Sequence, residues 1–168
     1  LGGSVGMIER PTVTYSPLQG DQFIQRVLSP LPLKTITLLY HSGWSIERIF
    51  QLCFQRMNNI KNAPGASGPT PKNAPQFKKF LETVKYLREL QAQDVLNLTY
   101  NNENGTPEII VHIAYEGKNL EAAQKFARVL NIEPGLEKYV ITFSPKQNES
   151  GQIRVVTRSL LGVLFYLS

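Results

Sequence analysis

The sequence predicts an α+β fold: a helical N-terminal half built on an αα-hairpin, then an antiparallel sheet of order β-β-α-β-β with a final helix. Three observations predict it. Residues 29–60 carry apolar side chains at helical spacing. Residues 95–115 and 139–157 switch to β-rich, alternating runs. Glycine, proline and asparagine clusters separate these segments. The 168 residues are 42% hydrophobic and 18% charged, which fits one folded domain, 1–168, and excludes a disordered chain.

In chain order, Thr12 to Tyr15 is a short strand candidate between Pro11 and Pro17. Asp21 to Leu28 reads as a helix with Phe23, Ile24, Val27 and Leu28 inward. Pro30 and Pro32 delay the next helix to Leu33–Tyr40. Gly43 can take a positive φ at the corner that follows. Ile46, Ile49, Phe50, Cys53, Phe54, Met57 and Ile60 then fit one face of a helix, with Ser45 as its cap. Asn62 to Ala74 is rich in Pro and Gly and is expected to be a flexible internal loop. Pro75 opens a long helix whose inner stripe is Phe77, Phe80, Leu81, Val84, Leu87 and Leu90. Lys78, Glu82, Lys85 and Glu89 give it an outer face of alternating charge.

Val95 to Tyr100 and Glu108 to Tyr115 flank an Asn-Gly turn and form a hairpin. Asn119 is placed to cap a helix over Leu120 to Leu130. Tyr139 to Phe143 and Gln152 to Thr157 are expected to form a second hairpin. The run Ser159 to Leu167 is apolar on nearly every side and far shorter than the roughly 20 residues that span a bilayer. It therefore needs burial in this domain, in a partner, or in further chain. Both ends read as cut, so the chain is expected to be a piece of a longer protein.

The net charge is +5, which permits an acidic partner without demanding one, because the basic residues are dispersed. A single Cys excludes an intramolecular disulfide, and Cys53 reads as a core residue. His41 and His112 have no metal-ligand spacing around them, and no phosphate loop or nucleophile elbow is present. No catalytic residue, metal or cofactor is therefore assigned. The binding candidates are Glu9, Arg10, Trp44 and Arg158. Trp44, next to Ser45, is expected to pack on Arg48 or Ile49 at the edge of the core. Arg154 and Arg158 share a face with Val156, where a bridge to a carboxylate such as Glu9 outweighs an anion site.

Three stretches carry a resemblance: Glu9 to Leu18 (ERPTVTYSPL), Ser42-Gly43-Trp44 with Asn58 to Asn62, and Thr157 to Ser168 (TRSLLGVLFYLS). Together they resemble a family of uncharacterised lipoproteins of Gram-negative bacteria. The resemblance implies a lipid-anchor signal ahead of this region and further chain after it. It implies a periplasm-facing envelope domain, possessed of scaffolding or protein-interaction roles, on the outer membrane. It assigns no catalytic residue. Expected partners are other envelope proteins, with membrane association only through an anchor outside this chain. A nucleic-acid-binding module, motivated by the positive charge, and an enzyme of unknown class are the competing readings; no nucleic acid is expected.

Overall fold

The computed structural model describes residues 18–66, 68 and 70–168; the strand candidate 12–15 and the site candidates Glu9 and Arg10 lie outside them. The helical half begins with α1 (Leu18–Leu28), α2 (Leu33–His41) and α3 (Ile46–Cys53). Two short strands follow, β1 (Phe54–Met57) and β2 (Ile60–Lys61), and then the long helix α4 (Ala74–Ala92). The second half holds β3 (Leu96–Asn101), β4 (Glu108–Ile113), α5 (Glu121–Val129), β5 (Lys138–Thr142), β6 (Gln152–Thr157) and α6 (Leu160–Leu167). The α+β class and the helical first half are as the sequence leads one to expect.

One mixed sheet gathers all six strands in the order β2-β1-β6-β5-β4-β3. Leu96 and Leu98, Ile109, Val111 and Ile113, Tyr139 and Ile141, and Ile153 and Val155 alternate onto one buried face. That face packs with Phe50, Phe54, Phe80, Leu87 and Phe126 in a single apolar cluster. Neighbours at positions 97, 112, 138 and 154 are exposed, as the two-residue period of a half-covered sheet requires. Phe126 meets the Tyr139 ring edge-on at 5.3 Å. The Tyr139 hydroxyl donates to the Glu133 carbonyl at 2.7 Å, so this buried phenol has its partner.

Five expectations are corrected. The helix at 46–60 stops at Cys53, and residues 54–57 form β1 instead. Phe54 pairs with Thr157 and Arg56 with Val156, so two residues of β1 oppose one step of β6. This bulge sends Phe54 and Met57 to the same side, three residues apart, and mimics helical spacing. The last two long strands are parallel, not a hairpin: Val140 pairs with Gln152 and Thr142 with Arg154. The return between them is short for a parallel connection. It is held by Gln152, whose Oε1 accepts from the Lys146 N–H at 3.3 Å and whose Nε2 donates to Glu149 at 3.4 Å.

The third correction concerns helix caps. Ser45 stands at the N-cap of α3, but its side chain makes no capping bond. Gln91 of α4 supplies the acceptor, taking the Ile46 N–H at 2.9 Å and donating to the Trp44 carbonyl at 3.1 Å. Leu120, not Asn119, precedes α5. The fourth concerns α1, where Phe23, Ile24 and Leu28 are exposed rather than inward. The fifth concerns α6, for which burial within this domain is the one of the three expected routes that is not taken: only Val163 is buried, while Leu160, Leu161, Leu164, Phe165 and Leu167 face outward.

Phe54, where α3 gives way to β1, is fully buried with its ring 4.4 Å from that of Phe50. Phe54→Ala is expected to lower unfolding free energy by about 3–5 kcal/mol in urea titration. A loss under about 1 kcal/mol would show that the bulge does not bury this ring as described.

Candidate functional site

The end of α3 leaves carbonyls without helical partners, and two residues from elsewhere, Asn62 and Arg158, take them. The Asn62 side-chain amide donates to the carbonyls of Gln51 at 2.7 Å and Phe54 at 2.8 Å, and its oxygen accepts from the Ala63 N–H. The Arg158 N–H donates to the Cys53 carbonyl at 2.7 Å. The Arg158 guanidinium donates through Nη2 to the Ala63 carbonyl at 2.8 Å and lies over the Tyr166 ring at 4.2 Å. Ala66 N–H donates to the Tyr166 carbonyl at 2.7 Å, so the first residues of the loop at 62–74 are docked.

Arg158 is 4% exposed, and its Nε–H is buried with no hydrogen-bond partner among the described residues. No carboxylate bridges it among the described residues; the expected partner Glu9 lies outside them. Burial pulls its pKa below the ordinary guanidinium value, with Tyr166 and Cys53 acting the other way. The same burial pushes the Cys53 thiol up to about 11, against a smaller opposing pull from Arg158.

Two adjoining cavities open around this corner. The first, about 540 Å³, is lined by Arg56, Lys79 and Arg154 together with Asn58, Asn59 and Asn131. The second, about 570 Å³, is lined by Arg56, Lys61 and Arg158 together with Val156 and Phe165. Arg56 and Val156 belong to both. Five cations thus line the pair, and no Asp or Glu does so among the described residues. Asn58 fixes the turn between β1 and β2. It sits at φ 49°, donates to the Leu130 carbonyl at 3.0 Å, and accepts from the Arg154 N–H at 2.9 Å. These bonds hold the Arg154 backbone against the Asn58–Asn59 turn.

The two described sequence candidates are not brought together. Trp44 stands before the start of α3 and Arg158 at its end, a helix of eight residues apart, or about 12 Å. Trp44 is 45% exposed and lines a shallow hollow with Arg48 and Arg88. Sequence reasoning placed Arg158 beside Arg154 but missed Arg56, Lys61 and Lys79 as their company. Those three are scattered over β1, β2 and α4 and carry no local spacing signal.

His41 Nε2 lies 2.7 Å from the Leu98 carbonyl, and His112 Nε2 lies 3.0 Å from the Thr99 hydroxyl. Among the described residues, no group of three or more His, Cys, Asp and Glu is placed to hold a metal ion. No helix among them is long and apolar enough to cross a membrane. Comparison with family models, with curated proteins and with solved structures finds no match in any of the three.

Two outcomes test the α3 corner. Asn62→Ala strands the Phe54 carbonyl, leaves the Gln51 carbonyl with only the Arg158 Nη2 at 3.5 Å, and is expected to cost about 1–3 kcal/mol in chemical denaturation. A neutral effect would mean that solvent already reaches those carbonyls. The raised Cys53 pKa means that the folded chain holds this proton where the unfolded chain has released it. Its contribution is therefore complete below pH 9 and is lost as pH rises towards 11, by up to roughly 2–3 kcal/mol. Denaturation curves across that window check the slope, and alkylation of Cys53 in the native state below pH 9 would contradict its burial.

Proposed function

We propose that this chain is a non-enzymatic binding domain of the bacterial cell envelope, facing the periplasm, that docks acidic segments of partner proteins in the first basic cavity. One observation carries the reading: Arg56, Lys79 and Arg154 converge on a cavity lined by no carboxylate among the described residues, although the chain as a whole mixes 18 basic with 13 acidic residues. Cations gathered without counter-charge repel one another, and an acidic partner relieves that repulsion while steering association. The asparagines between them supply amide donors for carboxylate oxygens. The family resemblance is what supports the envelope compartment and a scaffolding role.

Charge alone would suit a nucleic acid equally well. Single-stranded nucleic acid, however, is held by stacking on aromatic side chains as well as by cations. No aromatic residue lines the first cavity among the described residues, which favours a carboxylate-bearing peptide.

The test compares a fluorescent Asp/Glu-rich peptide with a single-stranded oligonucleotide by anisotropy at low and moderate salt. The peptide is expected to bind, to weaken with salt, and to be lost in the Lys79→Glu, Arg154→Glu double variant. Equal binding by that variant, or tighter and aromatic-independent binding of the oligonucleotide, overturns the reading. Fractionation of the intact protein is expected to place it with the envelope; recovery in the cytosol would remove the compartment.

A further inference from the structure

We propose that the second cavity, between the β1–β2 end of the sheet and α6, binds an anionic amphiphile, a phosphate or carboxylate carrying an alkyl chain. The acidic group sits among Arg56, Lys61 and Arg158, and the chain lies along Val156 and Phe165. This goes beyond the docking of acidic peptides: it concerns a different cavity and a different class of ligand, although Arg56 and Val156 serve both.

Two independent observations carry it. The first is the unfinished coordination of Arg158. Its guanidinium is buried, faces no carboxylate among the described residues, and keeps one donor, Nε–H, without a partner. Native structures leave few buried donors unpaired, and buried charges are normally matched. Here the other charged groups on the cavity are Arg56 and Lys61, which add to the imbalance instead of relieving it. An anion in the cavity offsets all three at once. Tyr166 and the Ala63 carbonyl hold the guanidinium in a fixed orientation, so little order has to be created when the anion arrives.

The second observation is the apolar wall. Phe165 is 68% exposed and Val156 39%, yet both border the cation set. Beyond them, the outward side of α6 is apolar almost throughout and touches α1, whose own apolar side chains are exposed. A volume of about 570 Å³ lies within the roughly 300–1,000 Å³ of small-molecule sites. A free inorganic anion would leave the apolar wall in water, whereas an alkyl chain covers it.

Titration calorimetry with octyl phosphate, inorganic phosphate and neutral octyl glucoside tests the site on the whole chain. Octyl phosphate is expected to bind, with inorganic phosphate much weaker and octyl glucoside undetectable. Arg158 is spared because it also holds the fold. Lys61→Glu and Phe165→Glu change exposed side chains and are each expected to weaken octyl phosphate roughly tenfold or more. Lys79→Glu with Arg154→Glu, which line only the first cavity, should lose the acidic peptide and keep octyl phosphate, so the two readings fail separately. Vesicles of anionic phospholipid, competed by octyl phosphate, separate the sources. Competition and loss in Lys61→Glu assign the head group to a membrane lipid, and octyl phosphate binding without vesicle binding assigns it to a free amphiphile. Equal affinity for octyl glucoside, or unchanged affinity in both Lys61→Glu and Phe165→Glu, overturns the proposal.

Discussion

The fold depends on how the end of α3 is closed. A helix that stops inside a protein must find partners for its last carbonyls, and here they come from far along the chain. The Arg158 N–H reaches Cys53, the Asn62 amide reaches Gln51 and Phe54, and the Arg158 carbonyl accepts from the Leu31 N–H at the approach to α2. The Arg158 side chain then ties the loop at Ala63 to Tyr166 of α6. Five segments therefore meet at one residue. A leucine at this position would be cheaper to bury and would keep the backbone bonds to Cys53 and Leu31, but it could not take the Ala63 carbonyl.

Most elements were legible because their patterns are local. The stripe of α4, the β3–β4 hairpin around Asn104-Gly105, and the inward Phe126 and Leu130 needed only neighbouring residues to be read. Where the reading failed, a distant partner decided. Phe54, Met57 and Ile60 fit a helix by spacing, but pairing with β6 and the bulge at Phe54–Arg56 made strands of them. The two C-terminal strands looked like a hairpin because a turn-rich loop joins them. Insertion of β6 between β1 and β5 reversed that pairing, since β1 takes the other edge of β6 in antiparallel fashion.

The candidate site was less legible than the fold. Arg158 stood out beside a strand, while Arg56, Lys61 and Lys79 read as ordinary solvated charges. Their convergence follows from three-dimensional closure alone: β1 lies against β6, and α4 lies against β2. Trp44, conspicuous as the sole tryptophan, turned out to mark a helix corner whose bonds run through Gln91.

The exposed helix α6 connects fold and site. An eight-residue helix with so few polar side chains has no reason of its own to stay outward. It is held by Ser159, whose hydroxyl accepts from the Gly162 N–H at 3.0 Å, by the pairing of Ser159 with Pro30, and by Tyr166 under Arg158. Polar bonds at its ends thus fix an apolar surface in water at the rim of a cationic cavity. Apolar surface kept exposed costs free energy unless something covers it. Arg158 takes part on both sides, through its N–H to the Cys53 carbonyl at the end of α3 and through its guanidinium over Tyr166. Whatever covers α6 is therefore coupled through Arg158 to the stability of the whole corner, and a ligand in the second cavity would add its binding free energy to that of folding.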